Sequence, residues 1–156
     1  MKVKNYKKGF TLLELLIVVL IIGVLAGIAL PQYKTAKEKT IMTEGMQLAK
    51  QIAIANQRYY LSNGKYATDI RNLDIGFNGE IEYLSAAYRV NTNNFILSAT
   101  GGITDYIAVV QRKPFNERYY IGIKYMSPDT FLCVVNNNAT PIQKKLCNKL
   151  AYTGHL

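Results

Sequence analysis

Glu14 is the residue whose surroundings most clearly indicate a functional role, because it is a carboxylate within an apolar run. That run covers residues 10–30 and reads FTLLELLIVVLIIGVLAGIAL, in which only Thr11 and Glu14 are strongly polar. An acid inside a membrane-spanning helix costs about 2.5–3.5 kcal/mol and marks a functional site, unless it lies near the interface and reaches water. Its partner should be a cation, which the run does not contain. A free α-amino group would serve if the chain were cut just before Phe10.

The rest of the sequence carries no set of residues typical of an enzyme. It contains no His–Asp–Ser or Cys–His pairing, no glycine-rich phosphate loop and no cluster of metal ligands. We therefore expect no catalytic residue, no cofactor and no metal site.

The elements around Glu14 indicate one membrane crossing. Twenty-one residues are enough for a helix that spans a bilayer, and four lysines precede them, at positions 2, 4, 7 and 8. By the positive-inside rule the amino terminus is cytoplasmic and the remainder lies outside. A secretory signal has an apolar core of about 7–15 residues and a small-residue cleavage site, whereas this longer run leads into PQYKTAKEK. A plain single-pass anchor explains the length and the lysines but not Glu14.

The two cysteines, Cys133 and Cys147, lie in the part expected outside the cytoplasm. Such a pair indicates a disulfide. Structural zinc usually needs four ligands, and the only histidine is His155. A bridge that closes a loop of about 15 residues contributes ~3 kcal/mol in the chain-entropy model. A head of this size has a small core, so that contribution is a large fraction of its stability.

Residues 7–15, KKGFTLLEL, closely resemble the processing site of type IV prepilins. The pattern is specific because leader charge, glycine, phenylalanine, glutamate and the apolar run occur in one register. The resemblance is strongest over residues 7–35 and concerns only the layout beyond them. It implies that a dedicated membrane peptidase cuts between Gly9 and Phe10, that Phe10 is then N-methylated, and that Glu14 is the carboxylate needed for assembly.

The resemblance also implies partners and a location. These are other pilin subunits in a homopolymer, the prepilin peptidase and the pilus assembly platform of the inner membrane. The precursor would reside in the bacterial inner membrane, and the mature chain would be part of an extracellular filament that serves adhesion, twitching motility or DNA uptake. Whether the subunit is major or minor stays open.

Helical signals continue after the apolar run. Pro31 should kink or loosen the helix, and Gly23 and Gly27 form a small-xxx-small pair that permits close helix approach. An amphipathic stripe then recurs at steps of three and four. Its members are Ile41, Gly45, Leu48, Ile52, Ala55 and Tyr59. Asn63-Gly64 ends the helix.

The carboxyl-terminal part predicts a sheet. Residues 94–100, 105–112, 119–126 and 130–135 are rich in aromatic or β-branched residues and are separated by short turn sequences, which favours antiparallel pairing. Residues 81–90 add an edge strand or belong to the preceding loop. The expected fold is α+β: a long amino-terminal helix packed on an antiparallel sheet, with a disulfide-bounded loop at the carboxyl end.

These boundaries divide the chain into a leader (1–9), a transmembrane and polymerisation segment (10–30) and a head (31–156). The head comprises the second half of the helix (31–61), a connecting loop (62–93) and the sheet (94–156).

Three other functions stay open. A pseudopilin of a type II secretion system shares the amino-terminal motif, but many such subunits carry an acidic calcium-binding loop, and Asp129 stands alone here. A competence pilin would capture DNA on a basic surface. The net charge of +9 allows this, but the lysines and arginines are scattered, which favours a solvated surface. The last is an anchored protein that does not polymerise.

Overall fold

The computed structural model describes residues 9–84, 87–101, 105–114, 118–125 and 127–153. Of the predicted leader, only Gly9 lies within these ranges, and His155 lies outside them. The chain divides into two compact units, Met1–Lys37 and Glu38–Leu156.

Unit 1 is formed by the first part of helix α1, which extends from Leu12 to Asn63 and so continues into unit 2. The helix begins where Thr11 and Glu14 satisfy its first backbone donors. Pro31 lies inside the helix, and helical structure continues on both sides of it. The hydroxyl of Thr35 donates to the carbonyl of Pro31 at 3.2 Å, an i−4 contact that often accompanies helix bending.

Unit 2 contains a six-stranded antiparallel sheet whose strands follow one another in chain order. The strands are β1 (Glu80–Leu84), β2 (Ala87–Asn91), β3 (Phe95–Ser98), β4 (Tyr106–Arg112), β5 (Tyr119–Lys124) and β6 (Ser127–Val135). Consecutive strands are separated by few residues in the sequence, which permits this antiparallel meander. The expected fold class is confirmed, and four predicted strands correspond to β3–β6.

The second half of α1 covers one face of the sheet. Buried helix residues recur at steps of three and four, namely Ile41, Met42, Gly45, Ala49, Ile52, Ala53, Ala55 and Asn56. A Cβ on Gly45 would lie 2.8 Å from Phe95 Cζ and 3.1 Å from Ile121 Cδ1, so a larger residue here would displace these side chains. Of the predicted stripe, Leu48 and Tyr59 are only half-buried and flank the core.

The segment 62–93 has more structure than a connecting loop. It contains a 3₁₀ helix, η1 (Ile70–Asn72), and the β1–β2 hairpin, which settles the question left open for residues 81–90. Asp69 caps η1, because its side chain accepts from the N–H of Arg71 at 2.9 Å. Tyr83 and Tyr88 are directly opposite across the hairpin, with ring centroids 5.0 Å apart. Cross-strand aromatic pairs of this kind stabilise a hairpin.

The end of the chain corrects the prediction in one respect. Residues 141–153, expected within the sheet region and its terminal loop, form helix α2 (Pro141–Thr153). The signal was present as a capping box: Thr140 N–H donates to Gln143 Oε1 at 3.0 Å, and Gln143 N–H donates to Thr140 Oγ1 at 3.3 Å. Pro141 then occupies the first helical position, where a missing N–H costs nothing.

Candidate functional site

Glu14 lies in the first turn of α1, where it closes a capping box with Thr11. Its Oε2 accepts from the backbone N–H of Thr11 at 2.8 Å and from the Thr11 hydroxyl at 2.9 Å. In return, the N–H of Glu14 donates to Thr11 Oγ1 at 3.2 Å. The reciprocal bonds satisfy donors that the first helical turn leaves without partners. Glu14 thus has a local structural role that our sequence reasoning missed, although the T-x-x-E spacing could have revealed it.

Gly9 and Phe10 precede this capping box and are open to solvent. Phe10 is 84% exposed, and a Cβ placed on Gly9 would meet no heavy atom within 4 Å. A backbone without neighbouring side chains is accessible to a peptidase. The predicted cut and methylation at this junction stay predictions.

The helix surface that follows is apolar and uncovered within unit 1. Every large apolar side chain from Leu12 to Leu30 is exposed, and the segment is long and apolar enough to cross a bilayer. Open space surrounds the positions where Gly23 and Gly27 would carry a Cβ. Because these glycines are four residues apart, they lie on one helix face and would let another helix approach closely.

The disulfide prediction is confirmed. Cys133 in β6 and Cys147 in α2 are bonded, with their Cα atoms 5.4 Å apart. Cys147 is fully buried. The bond therefore fixes the terminal helix against the last strand within the core of unit 2.

Glu38 is a second carboxylate with a defined role, at the start of unit 2. Its Oε1 accepts from Gln143 Nε2 at 3.0 Å, from the Tyr119 hydroxyl at 3.2 Å and from Arg112 Nε at 3.4 Å. These donors come from α2, β5 and β4. Burial, followed by the nearby Glu38 carboxylate, raises the pKa of the Tyr119 phenol, which stays protonated as a donor. One side chain thereby connects α1 to three other elements.

Asn56 joins the carboxyl-terminal part of α1 to strand β4 and to the segment that follows the helix. Its Nδ2 donates to the carbonyls of Ile107 at 2.8 Å and Ala67 at 3.2 Å, and its Oδ1 accepts from Ala67 N–H at 2.7 Å. The side chain is fully buried. A β-bulge between Tyr106 and Ala108 accompanies this contact. Neither Glu38 nor Asn56 could be recognised from the sequence, since each depends on partners more than ten residues away.

No metal site was expected, and the described ranges contain no group of three or more potential metal ligands. Asp129 Oδ1 instead lies 3.5 Å from Lys50 Nζ on the surface.

Comparison with known proteins gives a consistent result. The family described as the prokaryotic N-terminal methylation motif matches residues 4–30. The fimbrial protein EcpC of Eikenella corrodens is 35% identical over 111 residues, covering 70% of this chain and 72% of that protein. The type IV major pilin protein PilE1 of Neisseria gonorrhoeae is 34% identical over 96 residues, covering 60% and 57%. No solved structure matches.

A capped apolar helix that continues into a disulfide-bonded α+β head, together with these relatives, defines the class of protein: the chain belongs to the type IV pilin family. The alignment spans only 52–57% of the first neisserial relatives.

Proposed function

We propose that this chain is a structural subunit of a type IV pilus, inserted as a precursor in the inner membrane and polymerised through its amino-terminal helix. The observation that carries the proposal is the helix surface from Leu12 to Leu30, which is apolar, exposed and interrupted by one carboxylate. Such a surface needs lipid before assembly and other helices after it. Relatives named as type IV major pilins and fimbrial proteins favour a pilus over a pseudopilus.

Maturation is the first step of the proposal. Prepilin peptidase removes residues 1–9, and the new terminus at Phe10 is N-methylated. A free α-amino group has a pKa near ~8 and is largely protonated at neutral pH, and a methylated secondary amine also stays cationic. The cut therefore creates the cation that the apolar run lacks, only four residues before Glu14.

The pairing step joins two subunits. Glu14 of one chain contacts the Phe10 amine of its neighbour, because growth must distinguish an incoming subunit from one already in place. In the capping box Oε2 is occupied by Thr11, which leaves Oε1 to accept from a neighbour. A buried ion pair adds little net stability but can fix register. Register is what a helical polymer requires.

The test must separate the charge of Glu14 from its capping role. Glu14→Gln retains a side chain that can complete a capping box and removes the charge, whereas Thr11→Val keeps the charge and removes the capping hydroxyl. We expect Glu14→Gln precursor to be inserted and cleaved normally and to yield few filaments by electron microscopy of sheared surface material. We expect Thr11→Val to retain most assembly.

Two outcomes would contradict the proposal. Normal filaments from Glu14→Gln cells would show that the charge has no role in assembly. Filament-derived protein that still carries residues 1–9, read by mass spectrometry, would exclude the maturation step.

A further inference from the structure

The sequence contains two Asn-Gly pairs, Asn63-Gly64 and Asn78-Gly79. The side chain of Asn63 is hydrogen-bonded at the end of α1, whereas Asn78 lies in an exposed bend. In such a pair the backbone nitrogen of glycine can attack the asparagine side-chain carbonyl, since glycine has no Cβ to obstruct the approach. Whether the attack occurs depends on how both groups are held. We propose that Asn78 is a site of spontaneous deamidation in the folded protein and that Asn63 is protected.

Asn63 is held by the end of α1. Its Nδ2 donates to the carbonyl of Tyr59 at 2.9 Å, which turns the amide back along the helix. The attacking atom, Gly64 N, donates to the carbonyl of Tyr60 at 2.8 Å. Gly64 adopts a φ of 69°, the left-handed conformation of a helix terminator. Both hydrogen bonds must break before the nitrogen can reach the side chain.

The Asn78-Gly79 pair is held by one hydrogen bond instead of two. Asn78 is exposed in the bend before β1, and its side-chain amide has no hydrogen-bond partner among the described residues. The N–H of Gly79 contacts only the carbonyl of Phe77, at 3.0 Å. That bond joins residues two apart, as in a γ-turn, and it does not involve the Asn78 side chain. The nitrogen and the amide carbon are therefore able to meet through local motion of an exposed bend.

The reaction is balanced with water as the only co-reactant. Gly79 N bonds to Asn78 Cγ, the Cγ–Nδ2 bond breaks, and ammonia leaves with the proton from Gly79 N. Water then opens the cyclic imide at either carbonyl, which gives aspartate or isoaspartate. The product adds a negative charge beside Glu80 and Glu82. The isoaspartate form also lengthens the backbone next to Gly79, where a Cβ would lie 2.7 Å from the Asn91 carbonyl oxygen.

Trypsin separates the two sites, since residues 59–65 and residues 72–89 are different peptides. The full chain in detergent micelles is incubated at mildly alkaline pH, with a zero-time sample to correct for conversion during digestion. We expect peptide 72–89 to gain the mass of amide-to-acid conversion at Asn78, and the protein to develop a more acidic isoform on isoelectric focusing. Conversion of Asn63 should be slower by about tenfold or more, because two hydrogen bonds oppose it.

Unfolding in denaturant with reductant serves as the internal control, since both pairs should then react at similar rates. Asn78→Gln keeps the amide but moves the carbonyl away, and should abolish the acidic isoform. Equal rates at both sites in the folded protein would overturn the proposal. So would an Asn78 that reacts only after unfolding.

Discussion

The two units of this chain use apolar residues in opposite ways. In unit 1 the side chains from Leu12 to Leu30 are exposed, whereas in unit 2 the second half of the same helix buries its apolar face against a sheet. Unit 2 packs apolar side chains of the helix and the sheet into a core of its own, and the described part of unit 1 holds local hydrogen bonds such as those of the capping box. The residues that stabilise the head and the exposed apolar residues therefore lie in different parts of one helix.

Separating the units should give the largest effect. A chain of residues 35–156 retains Glu38 and its donors and should be soluble and folded without detergent, with a cooperative thermal transition. The full chain should require detergent or lipid, because the large apolar side chains from Leu12 to Leu30 are exposed and would otherwise face water. Size-exclusion chromatography and circular dichroism measure both. A head that aggregates or melts without cooperativity would show that unit 2 is not self-sufficient.

The disulfide should contribute the next largest effect, confined to unit 2. Replacing both Cys133 and Cys147 with alanine should lower the free energy of unfolding of the head by about 2–5 kcal/mol. Part of the loss reflects the smaller side chain at buried position 147. Urea denaturation gives the value, and reduction of the wild-type head provides the comparison without a volume change. Unchanged midpoints in both samples would contradict the assigned role.

Replacing Asn56 tests how much its buried hydrogen bonds stabilise unit 2. Asn56→Ala removes three hydrogen bonds and leaves the N–H of Ala67 and the carbonyl of Ile107 buried without that partner. Each such group costs about 1–3 kcal/mol, and the variant should lose about 2–4 kcal/mol in urea denaturation. Gln51→Ala, on the exposed side of the same helix, is the matched control and should change little. Similar losses of stability in both variants would show that substitution in the helix, and not loss of the buried amide, is the cause.

The smallest effect concerns acid sensitivity at the surface of unit 2. Hydrogen bonds from Arg58, at 2.7 and 2.8 Å, lower the pKa of Asp74. A lowered folded pKa stabilises the protein above the unfolded pKa, about 3.9, and this contribution disappears as pH falls through the folded value. The difference in stability between wild type and Asp74→Asn should therefore be present at neutral pH and vanish in strong acid. A difference that persists in acid would have another cause.

The amino-terminal features could be predicted because they are local. The apolar run, the lysines before it, the Gly9-Phe10 junction and the position of Glu14 are all contained within a short stretch of sequence. Stretches rich in aromatic or β-branched residues between turn sequences located β3–β6 in the same way, and the paired cysteines indicated their bond before the fold was known.

Only the tertiary structure decided which long-range partners meet. Glu38 accepts from Arg112, Tyr119 and Gln143, which are 74 to 105 residues away, and the burial of Asn56 depends on Ile107 in β4. Hydrogen bonding between side chains is short-ranged and directional, so no local pattern specifies such contacts. Periodicity and capping are properties of the chain itself, whereas these partnerships exist only once the helix lies on the sheet.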